Sequence, residues 1–513
     1  MRRLLSSRPF SSLFSRVRSI ETTSWLWLLV AVIASAPAWI VRYPPIQDLP
    51  FHLAAIRVLH DFHDARYGFD ENFVLTLGHT QYVFYYLLAS LLAYVLGVVK
   101  ANVALLCVYL GGTPLAIRAL LKALGKDERL ALFAVPLLTN VMFMFGLLPF
   151  LLGIPILFYA LAVAIRYFEH PTPPRGVWLG VLALALFYSH FFPFALFGIG
   201  FALMFPWHMP KRWLIAGAPV VPALLVVARW TLFTDSGRLT AGVLHPTEAD
   251  HVAPLNSAIP GAYQWLTDVW HDTSDELLLV LLVIFAILVT GLSQGDRDRS
   301  KPVARAYTLL PLLCILFYFT LGEKHGYIWL ISQRFPILCL FAAIPLLRMP
   351  QGLRGWVGTS LAAGLALAAT VNTCKHFIAF QLEEVGDIDD AIGAMEPKKR
   401  VAALIYDRGS QVTNWVPFLH FGSYYQVEKG GVVEFTYAGY LHWPFDFKPG
   451  HYPPPGGPAR ERWEWTPEQV PVRGELYPYY DYVLTRGQGF RPPPGTFHVK
   501  WHGARWTVWE RDR

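Results

Sequence analysis

Apolar runs long enough to cross a bilayer recur from residue 24 to about residue 380 and then stop. They lie at 24–42, 81–99, 102–121, 130–146, 150–168, 176–191, 193–208, 212–233, 275–292, 303–320, 331–348 and 355–377. Each predicts a helix. The connections sort by charge. Residues 118–129, 166–175, 208–212, 294–305 and 348–354 are basic, which predicts a cytoplasmic position. Residues 234–276 carry Asp235, Glu248, Asp250, Asp268, Asp272, Asp275 and Glu276 against Arg238, and are predicted to be external. Arg2, Arg3, Arg8, Arg16 and Arg18 precede the first acid, Glu21, so the N-terminus is expected inside.

These assignments conflict at one point. Residues 43–80 are expected outside and the cluster Arg118 to Arg129 inside, yet two full crossings separate them. We therefore expect one of 81–99 and 102–121 to lie in, or re-enter, the outer interface, as irregular elements can where they pack on protein or line a cavity. About eleven crossings remain, and everything after residue 380 is then external.

Beyond residue 380 the period changes. Residues 382–395 and 411–428 read as helices; 401–407, 431–439 and 480–487 read as strands. Residues 497–510 alternate on both sides of His502-Gly503, as a hairpin does. Strands interleaved with helices predict a small α/β domain. Its long loop, 441–475, is rich in proline and tryptophan. The expected architecture is a mostly α polytopic bundle with a small C-terminal extracytoplasmic α/β domain. Its parts are a basic N-terminus (1–23), a membrane domain (24–380) with a first external loop at 43–80, and a soluble domain (381–513).

Composition agrees. The 513 residues are 54% hydrophobic and 15% charged, with a mean hydropathy of +0.37. Soluble chains carry about 25% charged residues. Ala34-Ser35-Ala36 resembles a cleavage site, but the apolar run continues through Val41, which predicts a retained anchor. The net charge of +7 reads as topology rather than a nucleic-acid surface. Cys107, Cys314, Cys339 and Cys374 all fall in apolar runs, so neither a disulfide framework nor a zinc site is indicated.

The segment YPPIQDLPFH (43–52) carries a carboxylate, Asp48, just past the first apolar run. With HTQYVFYYLLASLLAYVLG (79–97) and the order of the parts, it resembles the GT-C glycosyltransferases, which include protein mannosyltransferases and aminoarabinose transferases. The family's paired acid in this loop is absent, and the turn FGLLPF (145–150) lacks a second acid. The resemblance implies an inverting transfer from a polyprenyl-phosphate sugar to an extracytoplasmic lipid, glycan or protein, in a bacterial inner membrane. It implies no cofactor. Asp48 would be the general base, worth a factor of about 10²–10⁴. Asp48 also fits a helix start, with Pro50 in the first turn.

The donor would be held by Arg334, in LISQRFP, with Arg229, His190 and His52 as further contacts. Arg334 also fits an interfacial anchor, His190 a helix end, and His52 a solvent-facing position. His60, Asp61, His63 and Asp64 could hold a metal or form a solvated face; we expect the latter. Lys324 and His325 fit the pocket or a loop. Trp443, Trp463 and Trp465 fit acceptor stacking or a domain core. A lipid or solute transporter and a non-catalytic scaffold are the alternatives. Mid-span ionisable groups are scarce and no internal repeat is visible, which disfavours transport.

Overall fold

The computed structural model describes residues 24–78, 80–244, 252–293, 300–454 and 461–513. The arginine-rich N-terminus, and most of the basic loop before residue 300, lie outside the described residues. Among the described residues, six helices are long and apolar enough to cross a membrane: Val98–Leu124, Leu148–Glu169, Pro210–Phe233, Ser274–Leu292, Val303–Thr320 and Gly352–Val385. Four shorter apolar helices accompany them: Ser24–Ala34, Val83–Leu96, Phe191–Met204 and Ser332–Leu346. The chain is an integral membrane protein. Leu148–Glu169 is 89% buried and forms the centre of the bundle, whereas Ser274–Leu292 is 11% buried and offers an apolar face outward.

The runs 81–99 and 102–121 form helices of unequal length. Val83–Leu96 has 14 residues and rises about 21 Å, short of the ~30 Å hydrocarbon core. Val98–Leu124 has 27 residues and rises about 40 Å. Gly97, at φ +76°, joins them; a side chain at this angle would be strained. The run 130–146 departs from expectation. It is a 3₁₀ stretch, Glu128–Leu137, followed by the short helix Val141–Phe145. Pro136 inside the first piece removes a backbone donor, and Asn140 caps the second by accepting from Phe143 N–H.

The C-terminal region contains a mixed five-stranded sheet in the order Val432–Val433, Arg400–Ile405, Tyr482–Arg486, Trp506–Arg511, Phe497–His502. The first three strands are parallel neighbours, and the last two form the expected hairpin. Two expected elements are shorter than their patterns suggested. The helix of 411–428 is confined to Ser423–Lys429, and the strand of 431–439 to Val432–Val433. The remainder, including 436–443, turns toward the bundle. Phe73–Leu75 of the first loop pairs antiparallel with Phe445–Phe447, stitching that loop to the C-terminal region.

The helix Leu49–His60, α1, is almost wholly buried. It is packed between Val83–Leu96 and Ser423–Lys429.

Candidate active site

Asp48 sits at the start of α1 but its carboxylate does not cap the helix. The helix start at Asp48, with Pro50 in the first turn, is as that reading expects, while the side chain is directed elsewhere. Two backbone bonds set its position: Gln47 N–H donates to Met144 O at 2.9 Å, and Asp48 N–H to Phe145 O at 3.0 Å. The approach is close because residue 146 is glycine. Gly146 lies at φ +83°, and a Cβ there would come within 2.9 Å of Ile46 and 3.1 Å of the Asp48 nitrogen. The turn FGLLPF thus contributes no acid but seats Asp48.

Asp48 is buried, and its side chain points into the C-terminal region. Tyr437 donates its hydroxyl to Asp48 Oδ2 at 3.2 Å. His420 Nδ1 lies 3.0 Å from Oδ1, an ion-pair distance, although off the line of a hydrogen bond. His420 Nε2 lies 2.9 Å from Glu464 Oε1, and its ring stacks on Phe51 with centroids 3.8 Å apart. Burial would push the His420 imidazole down, but Glu464 and Asp48 on its two sides outweigh it and raise it to about 9.

His52 has the opposite state. Burial, only partly offset by Asp48, pushes it down to about 4, so it is neutral. Its Nε2 is 2.8 Å from the Gly146 carbonyl, which only accepts, so Nε2 carries the proton and Nδ1 accepts from the Tyr86 hydroxyl at 2.8 Å. Both nitrogens are therefore engaged within the protein. His52 holds the Gly146 turn and does not offer a nitrogen to a ligand.

Asp48 and His52 line a cavity of about 170 Å³, far larger than a single water needs. His190 and Arg334 line it from the bundle; Tyr437, His442 and Trp443 line it from the C-terminal region. Arg334 is 6% exposed, and its Nε and Nη1 have no hydrogen-bond partner among the described residues. Its guanidinium lies over Phe150 and Phe192, 5.6 and 5.1 Å from the ring centroids. Burial, followed by the Arg334 charge, pushes His442 down to about 4. His190 Nδ1 accepts from Phe192 N–H at 3.2 Å, which leaves its proton on Nε2.

Several residues considered from sequence lie elsewhere. Arg229 is exposed on the helix Val221–Phe233 and does not line the cavity. His60 bonds Ser90 O, Asp61 pairs with Arg57, Asp64 with Arg66, and His63 is exposed, so the cluster is taken up in separate contacts. Lys324 and His325 start a short hairpin; its other residues, Tyr327 to Leu330, are the ones that reach the cavity. Trp463 is core and Trp465 is half exposed, leaving Trp443 alone of the three at the cavity. The residues that sequence reading missed are His420, Tyr437, His442 and Glu464. They lie in segments whose local pattern reads as a helix, a strand and a loop, and such a pattern carries no sign of a contact 389 positions away, as for Tyr437 and Asp48.

Two crystal structures of ArnT from Cupriavidus metallidurans superpose on this chain. The one bound to undecaprenyl phosphate does so with a TM-score of 0.53 at 12% identity, covering 94% of this chain and 97% of that one. The apo structure gives 0.51 at 13% identity, with 95% and 98% covered. This chain shares the ArnT fold. That agrees with the GT-C resemblance of the sequence. No family model and no curated protein matches the chain. The ArnT-like fold runs through both the bundle and the C-terminal region, so the cavity between them lies within the shared architecture.

Proposed function

We propose that this protein is an integral membrane glycosyltransferase of the GT-C type that moves a sugar from a polyprenyl-phosphate donor to an extracytoplasmic acceptor. The observation that carries the reading is Arg334. A buried guanidinium with two donors unpartnered among the described residues is costly unless an anion completes it. A phosphate does so with oxygens that match its planar fork. The fold shared with ArnT, one of whose structures holds undecaprenyl phosphate, supports the same class of donor.

In this reading the acceptor hydroxyl attacks the anomeric carbon and the bond to the phosphate oxygen breaks. The leaving phosphate stays as an anion on Arg334, and the hydroxyl proton passes to Asp48. Attack opposite the leaving group gives inversion; because the phosphate leaves as a stable anion it needs no general acid, so one carboxylate serves where inverting hydrolases use two. His190 offers its Nε2 proton to donor or acceptor oxygens, and Trp443 a face for stacking. The membrane is a bacterial inner membrane. Residues 1–23 are cytoplasmic, 24–380 form the membrane domain, and 381–513 form the extracytoplasmic domain that closes the cavity.

The test uses the purified protein in lipid nanodiscs with labelled polyprenyl-phosphate sugars and an envelope fraction as the acceptor source. Label should move to an acceptor as free polyprenyl phosphate appears. Absence of both, across neutral and amino sugars, would overturn the proposal. The orientation has its own check. Cysteines placed at 260 and 450 should react with an impermeant reagent in intact cells and one at 300 should not; the reverse pattern would refute it.

A further inference from the structure

The Asp48 carboxylate is held by the C-terminal region and not by the bundle that carries it. His420 stands between two carboxylates, 3.0 Å from Asp48 Oδ1 and 2.9 Å from Glu464 Oε1. A carboxylate only accepts, so a ring facing one at each nitrogen carries both protons and a positive charge. Its side chain is 3% exposed, and those of Asp48 and Glu464 are 10% and 7% exposed. Water screens the row weakly at that depth. The ring plane is fixed by stacking on Phe51, from the same helix start as Asp48. Tyr437, with Phe435 beside it, closes the other side and donates to Asp48 Oδ2.

We propose that His420, clamped by Glu464, is a positioning residue for the transfer: its imidazolium fixes the Asp48 carboxylate toward the cavity. The inference rests on the transferase reading given above and extends it to the C-terminal region. A base must lie within hydrogen-bond reach of the proton it takes. Asp48 has a short, rotatable side chain and no cap bond to orient it. Tyr437 restrains one oxygen and His420 the other. Glu464 is not among the residues that line the cavity; it holds the charge and plane of His420.

Two measurements separate this proposal from the transferase reading. The first needs no turnover. Nitrogen-15 imidazole resonances of the full-length protein should show His420 protonated through neutral pH and losing its proton near pH 9. That midpoint should fall in both Glu464→Gln and Asp48→Asn, because each removes an attraction that holds the proton. The titratable groups around the ring are Asp48, Glu464 and Tyr437, with neutral His52 on the far side of Asp48. A wild-type His420 that is neutral at pH 7 would overturn the proposal.

The second is kinetic, with a polyprenyl-phosphate sugar and the labelled acceptor fraction. His420→Gln should lower kcat at least tenfold while donor affinity stays within about twofold, since Arg334 is untouched. Wild-type activity should decline as pH rises through about 9, and His420→Gln should lack that limb. Glu464→Gln, the milder variant, should move the limb to lower pH. Normal kcat in a folded His420→Gln protein would overturn the proposal and leave the transferase reading standing. A wild type that titrates as expected but transfers no sugar would overturn the transferase reading and the catalytic role of His420 with it.

Discussion

Asp48→Asn should reduce turnover by a factor of about 10² or more while leaving donor binding nearly unchanged. The substitution keeps size and shape. The Tyr437 hydroxyl still has a carbonyl oxygen to donate to, and the backbone bonds of residue 48 to Phe145 are untouched. The proton acceptor is lost, and with it the negative charge that faces His420. The carboxylate makes no side-chain bond to its own helix, so a capping role cannot account for any loss. The measurement is release of polyprenyl phosphate by purified Asp48→Asn protein, alongside donor titration. Near-normal turnover would remove Asp48 from the mechanism. An equal fall in donor affinity would instead point to a distorted cavity.

Arg334→Ala should weaken donor binding by about 2–5 kcal/mol, roughly thirtyfold or more, which is the usual cost of truncating one side of a buried charge pair. Arg334→Lys should fall between, because it keeps the charge and loses the planar fork. Without donor the direction of the stability effect reverses. Arg334→Met removes a buried cation whose Nε and Nη1 lack partners among the described residues and replaces it with an apolar chain of similar length. Its Tm without donor should equal or exceed that of wild type. A protein that binds donor worse and melts no earlier shows a charge kept for a ligand rather than for the fold. Unchanged donor affinity in Arg334→Ala would end the phosphate assignment.

The two residues differ in how far the chain itself announced them. Asp48 stood out because a carboxylate just past an apolar anchor is conspicuous and the loop around it has a recognisable pattern. Arg334 stood out because an arginine at the end of an apolar run must find either headgroups or an anion. Arg229 met the same description yet lies exposed on its helix face. Position along a span does not tell which side of the helix a residue occupies relative to the cavity; that depends on packing.

Hydrophobic length and charge placement alone established a membrane protein with a sheet-bearing C-terminal region, because bilayer thickness and strand period act on local sequence. The same local rules located the hairpin at His502-Gly503. They failed at 130–146, where Pro136 breaks the helix, and at 411–439, where the chain gives up regular structure to reach the bundle. What surrounds Asp48 belongs to this second kind. His420, Tyr437 and Glu464 come from the far end of the chain, and only the packing of the sheet region onto α1 brings them to the carboxylate. Whether an imidazole is neutral or charged was equally invisible in the sequence. His52 and His420 are the same residue type, both buried; one faces a carbonyl and a hydroxyl, the other two carboxylates, and those neighbours are set by the tertiary fold.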